Sequence, residues 1–195
     1  MIKLKHLNIP TNYKIYFIIL SLIAIISGSL FYFKLGPNSQ EIVKTSIESF
    51  FLFNEQSSFL SVLLFNIGFF LLIWLLGLSI FGSILITFLY FIKVFLLSTS
   101  VSAIISLEEN NSVFKAFLYV FPDKIISIFI YALLSIFAIN SSFLLFQILF
   151  KKKEISFKQV FKNYNKVFVV LFIVIIILVI YQVYLNPLIF KLFIK

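Results

Sequence analysis

The chain has 195 residues, 62% of them hydrophobic and 12% charged, with a formal net charge of +9. Soluble domains run at roughly 45–50% apolar and about 25% charged, and one membrane span takes about 20 apolar residues. The composition therefore excludes a soluble protein and holds enough apolar residues for five or six spans. An all-α integral membrane protein is expected, a single membrane domain over 1–195 with no water-soluble second domain.

The first apolar run is 15–33, preceded by Lys3, Lys5 and Lys14. Ser27 and Ser29 form a small-x-small signature of signal-peptide cleavage. The run continues past them through Leu30-Phe31-Tyr32-Phe33, which suits a retained span better. In the loop 35–57, Asn38 is placed to cap a helix with Glu41 three residues on. Val43, Ile47, Phe50 and Phe51 would then share one face, as a partner surface or an interfacial helix.

Residues 59–107 are almost continuously apolar and, at 1.5 Å per residue, would stretch about 74 Å as one helix. A core of about 30 Å cannot hold that, so the run must fold back. Gly77-Leu78-Ser79 is the expected turn, between spans at 59–76 and 80–106. The loop Glu108-Glu109-Asn110-Asn111 follows. Pro122-Asp123 suits a helix N-terminus, opening a span over 123–150 that Lys151-Lys152-Lys153 stops. The last span is 167–185, ended by Asn186-Pro187.

Lys placement gives the orientation. The N-terminal stretch carries three Lys, and the loop 151–166 carries Lys151, Lys152, Lys153, Lys158, Lys162 and Lys166 against Glu154. Glu41, Glu48, Glu55, Glu108 and Glu109 fall on the other side. Five spans with the N-terminus cytoplasmic and the C-terminus outside satisfy both charge and parity. The net charge is thus a topology signal, and no nucleic-acid partner is expected.

Within 155–166, Phe157, Val160, Phe161 and Tyr164 recur at helical spacing, with Lys158, Lys162 and Lys166 opposite. This segment reads as a helix lying on the anionic lipid of the inner leaflet. A docking helix for a cytosolic partner, through Phe157 and Phe161, is the other reading.

Catalytic constellations are missing from the chain. There is no Cys, and all 16 basic residues are Lys. The one His, His6, precedes the first span, Asp123 is the only Asp, and no His-Glu-x-x-His occurs. The Glu108-Glu109 pair has no downstream Arg or His to work with. Neither an enzyme nor a metal or other cofactor is expected. The ionisable residue deep in a span is Lys93, at a cost of about 2.5–3.5 kcal/mol on insertion scales. It is read as snorkelling or breaking its helix, as contacting another subunit, or as lining a transport path. No other span offers it a buried Asp or Glu, so a counter-charge would come from another chain or from lipid. Ala24/Gly28, Ser79/Ser83 and Ser98/Ser102 allow close helix approach, within the chain or in a homo-oligomer. Asn66, Asn140 and Gln147 are expected to hydrogen-bond between helices. Trp74 is an interface anchor or is packed inside.

The stretch Trp74-Leu75-Leu76-Gly77-Leu78-Ser79-Ile80-Phe81-Gly82, then Phe91-Ile92-Lys93, resembles the centre of the stage II sporulation protein M family. Tyr119-Val120-Phe121-Pro122, Tyr131 and Tyr184-Leu185-Asn186-Pro187-Leu188 are similar too, so the resemblance covers roughly 58–190. Gly77, Gly82, Lys93 and Pro122 are its landmarks. Val94 stands where the family tends to have Gly, and Glu108 to Ser112 replaces a short Gly-containing turn. The resemblance implies a non-catalytic scaffold in the bacterial cell membrane. Its members anchor two peptidoglycan-cutting proteins, stage II sporulation proteins P and D, during engulfment. A permease-like subunit of an ABC-type export system is the alternative, with 155–166 docking an ATPase and Lys93 facing a pathway.

Overall fold

The computed structural model describes residues 11–51, 59–107, 111–150, 157–186 and 188, with the side chains of 11, 47–51, 59 and 61 left out. His6, Glu108, Glu109, Lys151, Lys152, Lys153 and Pro187 lie outside the described residues. Every described element is helical: α1 (Thr11–Lys34), α2 (Pro37–Phe51), α3 (Phe59–Gly77), α4 (Gly82–Ile105), α5 (Ser112–Val120), α6 (Asp123–Phe150) and α7 (Phe157–Ile180). A π-helical turn, Tyr181–Leu185, continues α7.

Four helical stretches are long and apolar enough to cross a membrane: Asn12–Lys34, Gly82–Ile105, Asp123–Phe150 and Phe157–Leu185. The fifth expected span is the shorter one. In α3 the apolar helix is Val62–Gly77, inside a helix of 19 residues that rises about 28 Å. The chain is an all-α, multi-pass membrane protein.

Where the helices meet, polar side chains set the register. α1 and α4 run parallel: Ser21 and Tyr90 share a hydrogen bond of 2.7 Å, Ser29 and Ser98 one of 3.0 Å, and Tyr32 and Ser106 one of 2.6 Å. Ser98 also donates to the Ile25 carbonyl, and Ser102 donates to Ser29. A Cβ on Gly28 would come within 2.9 Å of Ser98 Cβ. The Ala24/Gly28 and Ser98/Ser102 spacings therefore face each other inside one chain. Lipid tails are as apolar as Leu, so helix association there rests on such close approach and interhelical bonding.

α6 lies at the centre. It packs against α1, α3, α4, α5 and α7, and over half of its apolar window is buried, against about a fifth for the other three long helices. Its Tyr131 and Leu134 share the core with Phe70 and Ile73 of α3 and Ile86 and Tyr90 of α4. Ile18, Ile84, Phe129 and Val170 point outward. In lipid that exposure carries no hydrophobic penalty.

Two elements depart from the expected boundaries. α2 begins at Pro37, with the Ser39 and Gln40 amides donating to the Gly36 carbonyl. Gly36 and Pro37 form the start and Asn38 lies inside the helix, because the fixed φ of Pro suits the first helical position. Ile47, Phe50 and Phe51 of the expected α2 face lie among the side chains left out. The second departure is in 155–166, which is not a separate helix on the leaflet. Its described part, 157–166, forms the first turns of α7, and the continuous stretch Phe157–Leu185 rises about 43 Å, well beyond a core of about 30 Å.

Candidate functional site

Lys93 points into the bundle. Its ammonium lies 4.7 Å from the Phe65 ring centroid, 5.1 Å from Phe69 and 5.0 Å from Tyr131. Two rings from α3 and one from α6 thus enclose a cation on α4, each contact worth about 0.5–2 kcal/mol. α4 is unbroken through this position, so Lys93 does not mark a local break.

The Tyr131 hydroxyl donates to the Asn66 carbonyl at 3.1 Å and approaches its Oδ1 at 3.4 Å. The Asn66 amide donates to the Val62 carbonyl one turn back. Tyr131 thus joins α6 to α3 chiefly through the Asn66 backbone carbonyl, with the Asn66 side-chain amide bonded within its own helix.

Beyond the rings, Lys93 and Asn66 line a cavity of about 40 Å³ together with Asp123, Lys124, Ser127 and Gln182. This overturns the expectation that no span offers Lys93 an acidic neighbour. Asp123 opens α6, is only 2% exposed, and faces the same cavity. Pro122 sits just before it, where its carbonyl accepts from the Ile126 amide. Lys124 Nζ lies 3.3 Å from Asp123 Oδ2, within ion-pair distance. Neither carboxylate oxygen has a hydrogen-bond partner among the described residues.

An unforeseen helix brings the start of α6 to this depth. α5 folds back on the last turns of α4, clustering Ala116, Leu118 and Tyr119 with Val101 and Ile104. At the far end of α6, Ser142 donates to the Ser79 carbonyl in the α3–α4 turn. From Ser142 back to Asp123 the helix rises about 28 Å, and from Ser79 out to Lys93 the chain rises about 20 Å. The difference is roughly the reach of a lysine stem. The available signal was the length of α6, 28 residues where about 20 would span.

The α3–α4 turn depends on both of its glycines. A Cβ on Gly77 would strike the Tyr164 hydroxyl and lie 2.7 Å from its Cζ and 2.9 Å from Ala138 Cα. A Cβ on Gly82 would strike the Leu76 carbonyl oxygen and lie 2.6 Å from its carbon. Gly77 thus lets α3, α6 and α7 converge, and Gly82 lets the chain reverse.

At that same end the aromatic face of 155–166 is divided. Val160 and Tyr164 are buried, and Tyr164 donates to the Trp74 carbonyl at 3.1 Å. Trp74 is half-buried, donating through Nε1 to Asn165 Oδ1 with its ring against Phe168. Phe157 and Phe161 stack on each other and remain 57% and 37% exposed.

Among the described residues no group of His, Cys, Asp and Glu is placed to hold a metal ion. No curated protein and no solved structure matches the chain. The family model for Stage II sporulation protein M matches residues 17–187, from the first turns of α1 to the end of the last span. It takes in the enclosed Lys93, both turn glycines and the Pro122-Asp123 start of α6. The chain belongs to the Stage II sporulation protein M family.

Proposed function

We propose that this chain is a non-catalytic membrane scaffold that anchors and localises peptidoglycan-remodelling enzymes during sporulation engulfment. The observation that carries the reading is the family match over nearly the whole membrane domain. Such a scaffold needs surface at one end of the bundle for its clients. α2 and α5, the two helices too short to span, both lie at the end where Tyr32 meets Ser106. Gln40 of α2 donates to the Tyr32 carbonyl there, and α5 packs on α4. Ile42, Val113 and Phe117 are exposed on these helices. In the orientation given by the Lys distribution this end faces outward from a bacterial cell membrane. Clients of the type of stage II sporulation proteins P and D would meet it there.

The test is to crosslink the chain in its native cells, purify it in mild detergent and identify what accompanies it. A peptidoglycan hydrolase whose recovery falls on replacing Ile42, Val113 and Phe117 by Ser is the expected result. The exposed Phe157–Phe161 stack at the other end favours one competing reading, the permease-like subunit. An ATPase recovered without any hydrolase, and lost with Phe157→Ser and Phe161→Ser, would establish that reading instead.

A further inference from the structure

The cavity between α3, α4, α6 and the end of α7 carries more chemistry than a packing defect. Asp123 is a buried carboxylate with two acceptor oxygens and no hydrogen-bond partner among the described residues. A buried charge left so is costly, and such groups are normally satisfied by a neighbour, an ion or ordered water. Lys93 lines the same cavity with three N–H donors, and its ammonium lies against the ring faces of Phe65, Phe69 and Tyr131. Lys124 stands beside Asp123 as an ion pair without the alignment of a hydrogen bond.

The charge pattern selects the occupant. A metal cation would confront two ammonium groups, and an anion would confront the Asp123 carboxylate. Water both donates to Asp123 and accepts from Lys93, and is small enough for the space. Asn66, Ser127 and Gln182 supply further partners. A volume of about 40 Å³ exceeds the 10–15 Å³ or so that one water needs, and a water held by two to four polar groups is a stable part of a fold.

Gln182 enters from the π-helical turn Tyr181–Leu185. Single π turns are uncommon and frequently sit at functional positions. This one replaces the regular α ladder where α7 passes the cavity. The N-terminal dipole of α6 also favours a negative Asp123.

We propose that this cavity is a hydration site, in which trapped water joins Lys93 to Asp123 as a buried charge pair linking α4 to the start of α6. The chain thereby supplies the counter-charge for its own intramembrane lysine. Neither a lipid headgroup nor a partner subunit is needed at Lys93. The inference does not depend on the scaffold reading.

The test uses the full chain in mild detergent and four variants: Lys93→Met, Asp123→Asn, the double variant of these two, and Lys124→Met. The readout is the fraction that stays monodisperse after heating. Lys93→Met and Asp123→Asn should each lower it about tenfold, since each breaks the water-joined pair and leaves one charge short of a partner in the cavity. The double variant should return to within about threefold of the parent, and Lys124→Met should change it less than threefold. A double variant no better than the worse single one overturns the pairing, and so does a pair of silent single variants. A tenfold loss in Lys124→Met beside a silent Lys93→Met overturns it as well. The water has its own signature, an infrared O–H stretch that shifts in H2(18)O and disappears in Asp123→Asn. A parent spectrum without that band overturns the hydration.

Discussion

Tyr131 touches the two halves of the site at once: its hydroxyl donates to the Asn66 carbonyl at 3.1 Å while its ring lies 5.0 Å from Lys93 Nζ. One fully buried side chain on α6 thus bonds to α3 and helps enclose the cation of α4. The two contributions separate by mutation. Tyr131→Phe removes the hydroxyl and should cost about 1 kcal/mol. Tyr131→Ala also opens a cavity and uncovers Lys93, and should cost about 3–5 kcal/mol. Thermal unfolding in a fixed detergent measures both, and equal losses would count against a role for the ring.

Gly77 and Gly68 lie on the same helix in opposite circumstances. A Cβ on Gly77 collides with Tyr164 and with the α6 backbone, whereas a Cβ on Gly68 meets nothing within 4 Å. Gly77→Ala should destabilise by about 1–3 kcal/mol through overpacking. Gly68→Ala should be neutral or stabilise by up to about 1 kcal/mol through helix propensity. The paired midpoints test whether close approach, and not backbone freedom, is the reason for Gly77.

The divided face at the start of α7 predicts a sharp contrast. Val160→Ser should lower the midpoint, because Val160 is buried. Phe157→Ser, at a ring 57% exposed, should leave the midpoint nearly unchanged, and Phe161→Ser, at a ring 37% exposed, should lower it less than Val160→Ser does. If all three variants destabilise alike, the whole segment is covered within the folded chain.

Orientation is open to chemical labelling, because the chain contains no Cys of its own. Cys placed at Ser46 or Asn111 should react with an impermeant thiol reagent in intact cells. Cys placed at Lys158 should react only after the membrane is opened. Reaction of Lys158→Cys in intact cells would invert the topology.

The helical class, the multi-pass membrane character and most span boundaries follow from one-dimensional information. Apolar runs must be about as long as the bilayer core is thick, and Pro122 and the Gly77–Gly82 turn interrupt them in chemically legible ways. Even Lys93 was conspicuous, because a charge inside an apolar run stands out without any structure. The short helices were harder. α5 has only 9 residues, too few for a periodic signal to declare itself, and α2 starts at Pro37 with only Leu35 and Gly36 between it and the end of α1 at Lys34.

What surrounds Lys93 was decided by the tertiary structure alone. Asp123 reads in sequence as an interfacial residue capping a helix, and its burial shows only once α3, α4 and the end of α7 close around it. The same holds for the serine spacings, which meet each other only because α1 and α4 lie parallel. Val160 and Phe161 are adjacent and similarly apolar, yet only the first is buried. In a membrane both sides of a helix are apolar, so hydropathy marks which segments cross and in what order. It carries no information on which face turns inward, and that choice falls to close packing and to the pairing of the few polar groups.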